Sequence, residues 1–108
     1  MQLTKEEAIR RHRMMWNWIA EESIRQKGTV YKEDAFEHFG WEPCENNCWC
    51  CEYNELNDGI NCSKCPVVWP CGYCVSPKSP FRRYSYSSNY IEDAKYAKQI
   101  AELPERED

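Results

Sequence analysis

At 108 residues, with a net charge of −4 and a mean hydropathy of −0.88, the chain has room for one small domain and not for two. Its acidity argues against a general polyanion binder, and no apolar run is long enough to span a membrane. Leu, Ile and Val are scarce while eight residues are cysteine, so a thin aliphatic core calls for a second kind of staple.

The charge is uneven. Residues 1–30 carry six basic and four acidic groups, 31–61 one and eight, 62–90 four and none, and 91–108 three and six. A basic face therefore remains available on an acidic protein, and the acidic stretch Glu33 to Asp58 offers the opposite. The start MQLTKEEAIRRHR is charged and helical in pattern, with no apolar run behind it. It predicts neither a secretory signal nor a membrane partner, and hence a cytoplasmic location, where clustered cysteines hold metal rather than form disulfides.

The first predicted helix starts at Thr4, with Glu7 in capping-box position and Leu3 and Ala8 placed for a hydrophobic staple. Ala8, Ile9, His12, Met15, Trp16, Ile19, Ala20 and Ser23 recur at three- and four-residue spacing and form the buried stripe. Arg10, Arg13, Asn17 and Glu21 fall opposite, and Gly28 supplies the stop. The run Arg10, Arg11, Arg13 reads as a solvated face paired by nearby glutamates rather than as a phosphate site. Trp18 lies at the edge of the stripe, where packing is favoured over a partner contact.

Lys32 to Phe39 reads as a second, short helix ended by Gly40, with Ala35, Phe36 and Phe39 inward. The pair outlines a helix-turn-helix, but the would-be reading helix KEDAFEHF carries three acidic residues that phosphates would repel. His38 reads as a surface or capping histidine, since the thiols already suffice for metal.

All eight cysteines fall between Cys44 and Cys74, in CENNCWCCEYNELNDGINCSKCPVVWPCGYC. Cys48, Cys51, Cys62 and Cys65 give C-x2-C-x10-C-x2-C, which suits a tetrahedral structural zinc site, and Asn57-Asp58-Gly59 marks a turn within the ten-residue excursion. Cys44, Cys50, Cys71 and Cys74 form a possible second site; a different pairing, Cys62/Cys65 with Cys71/Cys74, and buried thiols at Cys44 and Cys50 stay open. One or two Zn2+ ions are expected. The spacing does not fit the bacterial ferredoxin run, so an iron–sulfur cluster is disfavoured. No HExxH, no deaminase signature and no redox CxxC context is present, which predicts a protein that is not an enzyme.

Beyond the knot, Pro77 and Pro80 argue against helix, and Phe81 to Tyr86 alternates like a half-buried strand. The same segment interleaves Lys78, Arg82 and Arg83 with Tyr84 and Tyr86, the composition of a single-stranded nucleic-acid site. The last helix is capped at Ser88 or Asn89, lined by Ala94, Ala97, Ile100 and Ala101, and ended at Leu103-Pro104; its alanines predict close packing on the first helix.

The segments MWNWIAEE, CWCCEY, CSKCPVVWP and AKQIAELPER together resemble an uncharacterised family of small cysteine-rich, zinc-binding proteins encoded by phages and prophages of Gram-positive bacteria. The resemblance covers most of the chain. It implies that Cys48, Cys51, Cys62 and Cys65 are the shared ligands, and that the protein is a phage accessory protein working in the host cytoplasm.

The architecture expected is a small α-rich, metal-stapled domain, with α+β as the other option, spanning 1–108. It is helical over 1–40, an irregular zinc knot over 44–74, loop or strand over 75–88, and a C-terminal helix over 89–103. The function expected is a non-catalytic protein-binding module acting on a host protein. The alternative is a nucleic-acid-binding zinc finger using residues 78–90.

Overall fold

In the computed structural model, residues 3–42, 49–56, 65–69, 80–81, 84 and 89–105 are described. The axis of the fold is α1 (Lys5–Gln26), whose buried side carries all eight residues of the predicted stripe and one more, Glu22. Thr4 caps it, its hydroxyl accepting the Glu7 amide at 3.1 Å. The carboxylate of Glu7 does not return to the cap; it turns to Arg10 and Arg11 instead. The helix also ends one residue earlier than Gly28 implied. Lys27, not glycine, takes the left-handed position with φ 55°, and the Gly28 amide bonds to the Ser23 carbonyl at 3.3 Å.

The second helix, α2 (Lys32–Phe39), has the bounds its pattern predicts. Asp34 Oδ2 accepts the Tyr31 backbone N–H at 2.9 Å to close its first turn. Gly40, at φ 72°, closes its last, where only glycine is unstrained. Ala35 and Phe36 are buried, and Phe39 is half-buried beside Trp41.

The knot region is less irregular than expected. A third helix, α3 (Trp49–Leu56), passes through Cys50 and Cys51. Its sequence WCCEYNEL places Trp49, Cys50 and Tyr53 at helical spacing, and the first two are buried. The turn at Asn57-Asp58-Gly59 lies outside the described residues. A second departure follows the knot: Pro80, Phe81 and Tyr84 have helical backbone where a strand was expected over 81–86. Proline lacks the N–H that a helix interior uses, yet its fixed φ of about −65° is itself a helical value.

The fourth helix, α4 (Tyr90–Ala101), is capped by Asn89, whose Oδ1 accepts the amides of Ile91 at 2.7 Å and Glu92 at 3.4 Å. Ala94, Ala97, Ile100 and Ala101 are buried against α1, the packing its alanines predict. Polar links fix the register between the two helices. His12 Nε2–H donates to the Ile100 carbonyl at 2.9 Å, and Lys98 Nζ reaches Asn17 at 2.8 Å. Thr29 donates to Asp93 Oδ2 at 3.0 Å just beyond the end of α1. The segment 65–69 closes the far side, with Val67 bridged to Glu105 and the Val68 amide donating to Pro104 at 2.9 Å. No helix among the described residues is long and apolar enough to cross a membrane.

The core joins Ile9, Met15, Trp16, Ile19, Val30, Phe36, Trp49, Val67, Trp69 and Ile100 with the α4 alanines. Aromatic and sulfur-bearing groups thus supply the volume that a scarcity of leucine leaves unfilled. His12 is fully buried within it, edge-on to Trp69 at 6.2 Å, and its Nδ1 has no hydrogen-bond partner among the described residues. Burial pushes its pKa down to about 4 against the pull of the Ile100 carbonyl. It is therefore a neutral histidine in the fold at pH 7.

Candidate functional site

Two clusters bear on function: the thiols, and a row of aromatic rings laid across α1, α2 and α3. Of the thiols, Cys50 and Cys65 are described and both are buried, at 1% and 3% exposure. The backbone of Cys51 lies in the first turn of α3. Cys44, Cys48, Cys62, Cys71 and Cys74, and the side chain of Cys51, lie outside the described residues. Among the described residues no group of three or more His, Cys, Asp or Glu side chains is gathered in a way that could hold a metal.

The aromatic row is fully described. Phe36 stacks on Trp49 at 5.3 Å with planes 7° apart, and Trp41 meets both edge-on. Phe39 stacks on Trp41 at 4.6 Å, and Trp18 and His38 continue the row, stacked on each other at 4.6 Å and 19°. The sequence places these rings on neighbouring elements for simple reasons. Trp18 sits at the edge of the α1 stripe, and Phe36, His38 and Phe39 lie within one turn of α2. Trp41 follows the Gly40 cap, and Trp49 opens α3.

The two ends of the row differ electrostatically. At the α3 end the Arg11 guanidinium lies 4.5 Å from the centre of Trp49 and 5.9 Å from that of Trp41. Its Nε is held by Glu7 Oε1 at 2.8 Å. Hydrogen bonds from Arg10 and then Arg11 keep the Glu7 carboxyl down at about 2. At the α2 end an open depression of about 310 Å3 is lined by Trp18, Gln26, Asp34, Glu37 and His38. Glu22 stands next to it, its carboxyl held below the usual range first by Arg25, then by Gln26, with a smaller pull from His38. Arg25 spends both Nε and Nη2 on that carboxylate. Among the described residues no lysine or arginine lies over Trp18 or pairs with Glu37.

The basic run of α1 is engaged within the fold, Arg10 and Arg11 by a nearby glutamate as expected and Arg13 by the segment after α4 instead. Arg10 and Arg11 share Glu7, while Arg13 approaches the Leu103 carbonyl at 3.5 Å and Glu105 at 3.7 Å. In the basic and aromatic segment after the knot, Tyr84 is half-buried, edge-on to Trp16 at 5.1 Å, with its hydroxyl donating to the Val30 carbonyl. Burial, then the nearby Asp93 charge, raises its phenol above the usual range. Phe81 is likewise edge-on to Trp16, at 6.0 Å. Lys78, Arg82, Arg83 and Tyr86 lie outside the described residues.

The Trp18–His38 pairing is the feature that sequence reading missed, for each residue was weighed alone. The available signal was an edge tryptophan on one helix and an exposed histidine beside two phenylalanine positions on the next. No family model, no curated protein and no solved structure matches this chain.

Proposed function

We propose that this chain is a non-catalytic, zinc-stapled protein-binding module, a phage accessory protein that modulates a host protein in the host cytoplasm. The partner is met by the acidic side of α2 and the adjoining flank of α1. One observation carries the reading: Asp34, Glu37 and His38 are exposed beside Trp18 in an open depression, and Glu37 has no ion-pair partner among the described residues. A tryptophan–histidine stack flanked by carboxylates suits a basic partner segment, because charge complementarity selects the partner and the rings anchor it.

The zinc part rests on the cysteine spacing, with Cys48, Cys51, Cys62 and Cys65 as ligands and Cys44, Cys50, Cys71 and Cys74 as a second set. The start of α3 at Trp49 supports it. A thiolate in the first turn of a helix is stabilised by the unpaired amides there, and Cys51 occupies that turn. Zinc would supply a closed, structural cross-link and no catalysis. The other reading, a nucleic-acid-binding zinc finger using Lys78, Arg82, Arg83, Tyr84 and Tyr86, has less support, since Tyr84 commits its ring to Trp16 and its hydroxyl to Val30.

The test is parallel affinity capture on immobilised protein and on the variant Glu33→Lys/Glu37→Lys. The expected result is a protein retained by the first bait, released by salt, and lost from the second. Identical retention on both baits would overturn the assignment of the partner face.

A further inference from the structure

The chemistry at the closed end of the aromatic row indicates what belongs at the open one. Arg11 lies on Trp49 and Trp41 while Glu7 grips its Nε, so an aromatic face, a guanidinium and a carboxylate form one assembly. At the other end two of the three parts recur. Trp18 and His38 are stacked nearly parallel and both line the depression, and Asp34 and Glu37 line it with them. Arg25, one position before Gln26 on α1, is bound to Glu22, and among the described residues no arginine or lysine lines the depression.

We infer that this depression receives an arginine side chain from a segment of the partner. The guanidinium lies along the Trp18–His38 rings and donates to Glu37 and to Asp34. The Oδ2 of Asp34 already accepts the Tyr31 amide, so its Oδ1 is the atom available to the ligand. Arginine suits the place better than lysine for two reasons: a planar, weakly hydrated cation stacks on rings, and its fork of N–H donors reaches two acceptors at once. The depression lies near the small end of the size range of ligand pockets, which is right for one side chain and too little for a folded element. The neighbouring carboxylate of Glu22 adds to the negative field without needing to touch the ligand.

This inference rests on the protein-binding reading, and its test is separable from that one. The probe is a capped pentapeptide, Gly-Ser-Arg-Ser-Gly, titrated into isotope-labelled full-length protein while the indole N–H of Trp18 and the amide of His38 are followed by NMR. Saturable shifts at both are expected, with the Trp49 indole unmoved. Replacing arginine by citrulline, which keeps the shape and removes the charge, should weaken binding by about tenfold or more. Lysine in its place should weaken it by about threefold. Glu37→Gln, at an exposed position without an ion pair, should weaken the arginine peptide by about threefold at an unchanged melting temperature. Equal binding of the citrulline peptide, shifts at Trp41 and Trp49 in place of Trp18, or no saturable shift up to about 10 mM peptide would each overturn the inference. If the charge-reversed bait still loses its partner in those cases, the partner face stands and only its arginine anchor falls.

Discussion

The two ends of one aromatic row carry rings and carboxylates alike but differ in whether the described fold sets an arginine on them. At the α3 end the chain supplies its own, Arg11, and ties it down with Glu7. That end is built on Trp49, which is buried and one residue from Cys50, so it belongs to the core and to the cysteine region. At the α2 end rings and carboxylates line the depression, and among the described residues no lysine or arginine joins them. A group that stabilises a fold must be held by the fold. A group left half-assembled at the surface is available to a partner, and the loss of internal stabilisation there is small because solvent already hydrates it.

The largest expected effect would separate the ends most sharply. If the proposed zinc is bound, a strong chelator should release α3 and with it the Phe36–Trp49 stack, because structural zinc sites supply about 10–16 kcal/mol of apparent binding energy to small domains. Near-UV circular dichroism and the Trp49 indole resonance should collapse, and metal analysis of the untreated protein should count one or two zinc ions per chain. An unchanged melting temperature after chelation would remove the metal from the account.

The next effect acts on both ends at once and so serves as a control. His12 has a folded pKa of about 4 against an ordinary value of 6.5, so the unfolded chain binds more protons between those two values. Stability should be complete above about pH 6.5 and fall as the pH drops toward 4, by about 3 kcal/mol across the window. Urea unfolding at several pH values measures the slope, and His12→Asn should flatten it. Binding that weakens only in step with this slope would point to global unfolding rather than to the depression.

A smaller effect tests the closed end directly. Arg11→Ala should cost about 1–2 kcal/mol through the lost stacking on Trp49 and the lost ion pair, whereas Glu37→Gln should stay within about 0.5 kcal/mol. Denaturant midpoints for the two variants give the comparison, and equal costs would erase the distinction between the ends. The smallest effect lies at the rim of the open end. Lys27 follows Gln26 in a left-handed conformation, so Lys27→Gly should raise stability by about 0.5 kcal/mol or more without touching the depression.

Much of the frame was legible from spacing alone. The stripe on α1, both bounds of α2, the Gly40 stop and the alanine face of α4 follow from periodicity and capping, which are local signals. What escaped was either displaced by a stronger signal or lay between elements. The cysteine spacing of WCCEYNEL masks its helical pattern, and Pro80 masks the helical backbone at Phe81. Glu22 is buried because Arg25 and Gln26 satisfy its carboxylate, an arrangement that a hydrophobic stripe does not reveal. The Trp18–His38 stack needs two helices to meet, so neither helix announces it. Of the eight thiols, only Cys50 and Cys65 can be compared with expectation at the level of side chains, and both are buried.

The bond from His12 to Ile100 joins residues 88 apart in the chain. A ribosome adding about 5–20 residues per second therefore exposes the stripe of α1 for roughly 4–18 s before its cover exists. During that interval Ile9, Met15, Trp16 and Ile19 form an open apolar ribbon on a nascent chain whose closing helix is still unmade. A clone truncated before Tyr90 should be recovered as aggregate or degraded fragments rather than as a smaller folded domain.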